Sequence, residues 1–308
     1  MTKVFIDGSA GTTGLRIRER LSGRKDLELL TLPEELRKDS SARADALNTA
    51  AVSFLCLPDD AAREAVSLVT SPDAVIIDTS TAHRTAEGWT YGFPELKGQR
   101  EKIRSSRRIA NPGCHASGFI SLAAPLVQAG LLLPGARLSC FSLTGYSGGG
   151  KKMIAAYEAE GRSPLLDAPR QYGLGQTHKH LPEMSAVCGL QHEPVFCPVV
   201  APYYSGMEVV VSLTPAETSA SPDEIRQVYR DYYRNGLVHF SEGAGEEGFL
   251  SACALAGRDD MEISVFGVPE RILLISRFDN LGKGASGAAI QNMNLVLGAD
   301  ESLGLIRG

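Results

Sequence analysis

One cysteine differs from the other five by its context. Cys114 closes the run Asn111-Pro112-Gly113-Cys114, directly before a stretch, His115–Gly130, that reads as a helix with Leu122, Leu126 and Val127 on one side. A thiol at a helix N-terminus lies at the positive end of the helix dipole, which stabilises the thiolate. Pro112 and Gly113 set the turn that presents it. Such a cysteine suits covalent catalysis, and its usual partner is a group that takes and returns a proton near neutral pH. The chain has six histidines, and two of them fall in Gly175-Gln-Thr-His178-Lys179-His180-Leu181-Pro182-Glu183. Cys56, Cys140, Cys188, Cys197 and Cys253 are scattered, with no C-x-x-C pair. They read as buried small apolar residues of a protein in a reducing cytoplasm, with neither a zinc site nor a disulfide framework.

A second constellation is Gly8-Ser9-Ala10-Gly11-Thr12-Thr13-Gly14, between a short apolar run, residues 3–7, and a helix-like segment ending near Leu21. Glycines there allow a tight turn and let a pyrophosphate approach the backbone, while the following helix supplies unpaired N–H groups. The spacing is G-x-x-G-x-x-G, and the order strand, glycines, helix is what makes it a dinucleotide site. Glu34-Glu35 would favour a free ribose and Arg37-Lys38 a 2′-phosphate, so the residues leave NAD and NADP both open. Two basic stretches could hold an anionic substrate: His83-Arg84, after Asp78-Thr79-Ser80-Thr81, and Lys151-Lys152, after Gly145-Tyr-Ser-Gly-Gly-Gly150. Asn280-Leu281-Gly282-Lys283-Gly284-Ala285-Ser286-Gly287 opens the last helical stretch and is a further candidate for anion or backbone contact.

These residues need a scaffold. Strands are expected at 27–32, 52–57, 74–78 and 108–110, with a helix at 60–69, so that strands and helices alternate and build a parallel sheet. After Cys114 the texture changes. Longer strand candidates at 137–144, 195–201, 207–214, 261–268 and 271–278 suggest a mostly antiparallel sheet. A helix is expected at 223–234, with Ser221 as its cap and Pro222 in its first turn, and another at 285–297. The fold class is therefore α/β: a Rossmann-like dinucleotide-binding domain plus an α+β domain with a mostly antiparallel sheet. A length of 308 residues suits two domains. Hydrophobic residues at 43% and charged residues at 22% suit a soluble globular chain, and a net charge of −5 argues against coating nucleic acid. No run approaches the ~18 apolar residues of a membrane span. The opening MTKVFIDGSAG enters a strand without the pattern of a secretory signal.

The combination resembles a known family. The glycine motif, NPGC at 111–114, Tyr91-Gly-Phe-Pro-Glu-Leu96, the H-x-P-E element from His180 to Glu183, and DNLGKGASGAAIQN at 279–292 are similar to the N-acetyl-gamma-glutamyl-phosphate reductases, in their shorter variety. The resemblance implies NADP as cofactor, a cytoplasmic place in arginine biosynthesis and a homo-oligomer, a tetramer or dimer. It implies Cys114 as nucleophile and His180 as acid/base, with His178 in reserve. Cofactor contacts would come from Gly8, Ser9, Ala10, Gly11, Thr12, Thr13 and Gly14, from Ser80, and from Asn280, Gly282, Lys283 and Gly284. Substrate contacts would come from Arg84, Asn111 and Lys151. The last helix would pack back on the dinucleotide domain, giving residues 1–113 with 284–308 as that domain and 114–283 as the catalytic and oligomerisation domain. The nearest rival is aspartate-semialdehyde dehydrogenase, with the same chemistry on a shorter acid. A non-catalytic dinucleotide-binding redox regulator would keep the glycine loop but need no histidine. A cysteine hydrolase would leave the N-terminal pattern without a use.

Overall fold

The computed structural model describes residues 1–243 and 246–308. The chain divides into two compact units, Met1–Pro112 with Ala285–Leu305, and Gly113–Gly284 with Ile306–Gly308.

In the first unit, β1 (Thr2–Asp7), α1 (Thr12–Leu21), β2 (Leu27–Leu30), α2 (Ser40–Thr49), β3 (Val52–Leu55), α3 (Asp59–Ser67), β4 (Val75–Asp78), β5 (Thr90–Tyr91), α4 (Gln99–Ser105) and β6 (Arg108–Ala110) follow one another. The strands form one parallel sheet in the order β2-β1-β3-β4-β6-β5. Successive strand residues enter different cores, as a period of two requires. Val4, Ile6, Val52, Phe54 and Ile77 pack with Ile17 and Leu21 of α1 and with Ile290 and Met293 of the last helix, Gly287–Val296. Phe5, Leu55 and Ile76 pack on the other face with Leu47 of α2 and with Ala62 and Ala65 of α3. Burial on both faces explains why these strands are continuously apolar. The chain leaves β1 toward β2 on one side and later returns beside β1 as β3. The carboxyl ends of β1 and β3 therefore form a topological switch point, the usual place for a ligand crevice in such sheets.

The second unit contains α5 (Cys114–Gln128), β7 (Ser139–Gly145), α6 (Gly150–Glu158), β8 (Arg170–Gln171), α7 (Leu181–Cys188), β9 (Val195–Ala201), β10 (Met207–Leu213), α8 (Pro222–Tyr232), β11 (Val238–Phe240), β12 (Met261–Val268) and β13 (Arg271–Phe278). Its sheet runs β11-β12-β13-β10-β7-β9-β8. Four junctions are antiparallel, but β7–β9 and β11–β12 are parallel, so the sheet is mixed. Helix α5 is buried from His115 to Leu126 and lies close on the sheet. Gly118 allows this, since a Cβ there would stand 2.4 Å from Val209 Cγ2 and 2.9 Å from Ser276 Oγ. Helix α8 begins as expected, with Ser221 and Glu224 forming a reciprocal cap and Pro222 in the first turn.

Several boundaries move. The strands expected to reach 32 and 57 stop at Leu30 and Leu55, where the chain turns at the cofactor-type crevice. The last helix starts at Gly287 because Gly282–Ser286 form a wide π-type turn. Helices α2, α4, α6 and α7 were not expected. Helix α2 shows a hydrophobic periodicity too weak to detect, and its start is set by Asp39, whose carboxylate accepts from Ala42 N–H. No helix among the described residues is long and apolar enough to cross a membrane.

Candidate active site

Cys114 is the first residue of α5, and the flanking residues tie it to the histidine segment. On one side, Gly113 N–H donates to Glu183 Oε2 at 3.2 Å. Glu183 is buried in the first turn of α7, and its Oε1 stands 3.9 Å from Nε2 of the buried His180. The H-x-P-E spacing now has a local explanation. His180 is the cap position, Pro182 occupies the first turn where its missing N–H costs nothing, and Glu183 meets the positive helix end. On the other side of Cys114, the His115 ring lies 5.5 Å from that of His180 and 5.8 Å from that of His178. His178 Nδ1 accepts from the backbone N–H of His180 at 3.2 Å, and the two rings meet edge-on at 4.7 Å. His178 thus holds the segment that carries His180.

His115 itself is wholly enclosed. Its Nδ1 is 2.6 Å from Ser142 Oγ on β7, and its Nε2 is 2.6 Å from the Tyr172 hydroxyl just beyond β8. Burial, and secondly the charge of His178, push its pKa down to about 3. Burial raises the Tyr172 phenol, with the nearby Cys114 adding to the rise. Burial pushes the Cys56 thiol up to about 12 and raises those of Cys140, Cys188 and Cys253.

The glycine loop of the first unit lies at the crevice of β1 and β3. Gly8 adopts φ +83°, and a Cβ there would stand 2.3 Å from the Cys56 carbonyl oxygen. A Cβ on Gly14 would stand 2.5 Å from the Gly8 carbonyl, so α1 packs close against the turn. Helix α1 has Gly11 as its cap, with no side-chain cap bond and no acid in its first turn. Thr12 Oγ1 is buried there with no partner in the protein. An uncapped helix start, an unpartnered hydroxyl and a loop with no room for side chains fit a dinucleotide pyrophosphate. Beside the loop is a cleft of about 210 Å3, lined by Gly8, Ser9, Ala10, Thr31, Arg18, Arg37 and Lys38 among others.

Residues 114–280 match the family described as semialdehyde dehydrogenase, dimerisation domain, and residues 33–106 match semialdehyde dehydrogenase, NAD binding domain. The chain is 44% identical to the N-acetyl-gamma-glutamyl-phosphate reductase 2 of Nostoc sp., over 98% of this chain and 99% of that protein. It is 46% identical to the N-acetyl-gamma-glutamyl-phosphate reductase of Sinorhizobium medicae, over 96% of this chain and 99% of that one. The chain belongs to the N-acetyl-gamma-glutamyl-phosphate reductase family of semialdehyde dehydrogenases. The fold is shared more widely. Aspartate semialdehyde dehydrogenase II of Vibrio cholerae, crystallised with ASA, superposes with a TM-score of 0.73 at 17% identity, covering 96% of this chain and 98% of that one.

Other sequence candidates of this reductase-family chain have different surroundings. Ser80 is buried, and its hydroxyl donates to Asp78 at 2.7 Å. Arg84 donates from Nε to the Asn111 carbonyl at 3.1 Å and from a terminal nitrogen to the Thr79 carbonyl at 3.3 Å. Asn111 is buried; its amide donates to the Ala285 carbonyl at 3.0 Å, and its oxygen accepts from Asn292 at 3.2 Å. In this arrangement Asn111 braces the NPGC turn rather than lying open to a substrate. Lys151 is exposed at the start of α6. Lys283 is wholly buried. Asn280, also buried, accepts from Gly206 N–H and donates to Ser147 Oγ. Gly282 and Gly284 give room to protein: a Cβ would stand 2.0 Å from the Arg258 carbonyl oxygen at the first and 3.0 Å from Cys114 Cβ at the second. Sequence reasoning missed Ser142, Tyr172 and His115. Only the position of His115, next to the cysteine, offered a signal.

Proposed function

We propose that the chain reduces N-acetyl-gamma-glutamyl phosphate to N-acetylglutamate 5-semialdehyde and phosphate with NADPH, in arginine biosynthesis, using Cys114 as nucleophile and His180 as acid/base. The observation that carries the residue assignment is the shared carboxylate of Glu183. One of its oxygens accepts from the residue that starts the helix of Cys114, and the other stands 3.9 Å from the His180 imidazole. A single buried anchor therefore orients the nucleophile's turn and the proton carrier together, and it would stabilise His180 while it holds a proton.

The Cys114 sulfur attacks the acyl carbon. A C–S bond forms and the C–O bond to phosphate breaks, with phosphate leaving on its electron pair. When bound, the reduced nicotinamide would supply a hydride to the thioester carbon. Cys114 N–H, in the first turn of α5, is the proposed donor to the resulting oxyanion. His180 gives a proton to that oxygen and takes it back as the C–S bond breaks, releasing aldehyde and restoring the thiolate. Arg84 and Lys151 are the proposed cations for the substrate's phosphate and carboxylate. Arg84 is pre-set by its two carbonyl bonds.

NADP, rather than NAD, is supported by the lining of the first-unit cleft. Arg18, Arg37 and Lys38 border it beside the glycine loop, whereas Glu34 and Glu35 do not. Three cations suit a 2′-phosphate. Residues 8–14 would cradle the pyrophosphate, and Ser80 would lie near the far end of the same crevice.

A homo-oligomer is supported by one face of the second sheet. Phe141, Val195 and Leu273 on this face remain 44%, 61% and 40% exposed, while their strand neighbours Cys140, Phe196 and Leu274 are buried toward the other face. An exposed apolar sheet surface of this kind suits a second copy of the chain. Six free thiols suit a cytoplasmic location.

The test mixes the protein with N-acetylglutamate semialdehyde, phosphate and either dinucleotide, and follows reduced-nicotinamide absorbance. Phosphate-dependent reduction of NADP, much slower with NAD, is expected. Cys114→Ser should abolish turnover while NADP binding, read by fluorescence, persists. Normal turnover in that variant would overturn the assignment.

A further inference from the structure

Strand β8 ends at Gln171, and Tyr172 extends it by one more bond, from its N–H to the Pro198 carbonyl of β9 at 3.0 Å. The chain then leaves the sheet, and residues 174–177 are exposed. Bonds on one edge of an antiparallel strand fall at alternate residues, so the next backbone pair that β9 offers on this edge belongs to Phe196. The Gln176 side chain takes it. Its Oε1 accepts from Phe196 N–H at 2.9 Å, and its Nε2 donates to the Phe196 carbonyl at 2.7 Å. The same nitrogen reaches the Gly173 carbonyl at 3.4 Å and closes the turn. We infer that Gln176 is a positioning residue for the reaction, clamping the segment 176–180 to β9 so that His180 stays beside Glu183. The inference rests on His180 being the acid/base.

A primary amide carries a donor and an acceptor side by side, so it can stand in for the backbone pair of a missing strand residue. A carboxylate, an ammonium or a hydrocarbon of similar length lacks one or both. The fit has a cost. Gln176 adopts φ +53°, in the left-handed region that a residue with a side chain rarely enters and that glycine enters freely. The chain carries this strain and keeps the amide. From the clamp, contacts lead inward one residue at a time. The buried Phe196 ring packs edge-on against the His178 ring at 5.1 Å. His178 Nδ1 accepts from His180 N–H at 3.2 Å, and His180 Nε2 stands 3.9 Å from Glu183 Oε1. One strand residue thus receives the loop through its backbone and the histidine segment through its ring. Without the amide, the exposed stretch loses its two bonds to β9, and the segment is free to carry His180 away from Glu183.

The test compares Gln176→Ala with the wild type, both full-length, by steady-state rates in water and in deuterium oxide. Alanine and glutamine meet the same backbone restriction at a positive φ, so the comparison isolates the amide. The kcat should fall about tenfold while KM for the semialdehyde stays within about twofold. The solvent isotope effect on kcat should rise, because proton transfer through a displaced His180 becomes the slow step. Gln176→Gly, which relaxes the backbone but has no amide, should lose at least as much activity. A Gln176→Ala kcat that matches the wild type, or a loss with no rise in the isotope effect, would overturn this proposal alone when His180→Asn is strongly impaired. Wild-type turnover by Gln176→Gly would place the effect in the backbone and overturn it as well. Normal turnover by His180→Asn would overturn the acid/base reading and this proposal with it. The substituted side chain lies in an exposed loop, so the fold of the variants does not depend on it.

Discussion

Two glycine-rich segments look alike as sequence and have different surroundings. Gly8–Gly14 and Asn280–Gly287 each combine glycines with a following helix. In the first, the Cys56 and Gly8 carbonyls fill the space left by the side chains of Gly8 and Gly14, but the turn itself borders an open cleft and the helix behind it has an uncapped start. In the second, the space is filled by the Arg258 carbonyl and by the edge of Cys114, and the lysine between the glycines is wholly buried. Glycine reports that something comes close to the backbone. It does not say whether that neighbour is a ligand or another part of the chain.

Substitutions can break this contrast. Gly8→Val should have the largest effect. The position combines φ +83° with a Cβ approach of 2.3 Å to a carbonyl oxygen, so the loop must move. Dinucleotide affinity should fall by about a hundredfold or more, equivalent to roughly 2.7 kcal/mol, by fluorescence titration. Gly284→Ala should leave that affinity unchanged. Its Cβ meets Cys114 Cβ at 3.0 Å, and displacing a nucleophile by a fraction of an ångström should lower kcat by roughly ten- to a hundredfold. Loss of dinucleotide binding in the Gly284 variant would erase the distinction between the segments.

Smaller effects sharpen it. Lys38→Ala and Arg37→Ala remove cations from the cleft and should each weaken NADP binding about tenfold while leaving NAD binding nearly unchanged. Equal losses for both dinucleotides would mean that these side chains meet the shared pyrophosphate rather than the 2′-phosphate. The histidine site should also respond to acid in a way the cleft does not. His115 has a folded pKa depressed to about 3, against ~6.5 when unfolded, so the unfolded chain binds the extra proton between these values. Its contribution to stability is fully present above about pH 6.5 and is lost as pH falls toward 3. His115→Gln should flatten the fall of the thermal midpoint over that window, and an unchanged acid limb would contradict the burial argument.

How much of this was legible follows from the range of each interaction. Strands 195–201, 261–268 and 271–278 were readable to the residue, because long apolar runs between turns carry their own signal. The cap at Ser221 was equally local. The mixed nature of the second sheet was not readable: β7 and β9 lie side by side in parallel although α6, β8 and α7 intervene, and register of that kind leaves no mark in either strand alone.

At the site, the sequence by itself determined the chemistry available. It held one cysteine at a helix start, a histidine in an H-x-P-E step, and glycines between a strand and a helix. These are short-range patterns, set by helix caps and turn geometry over a few residues. Only the tertiary structure decided which groups support them. It brought Glu183 to Gly113 across 70 residues, Tyr172 to His115 across 57, and Ser142 to His115 across 27. It also buried Lys283, which the sequence had offered as a cofactor contact. Hydrogen bonds between distant residues depend on how whole elements pack, and packing is a property of the assembled fold rather than of any segment within it.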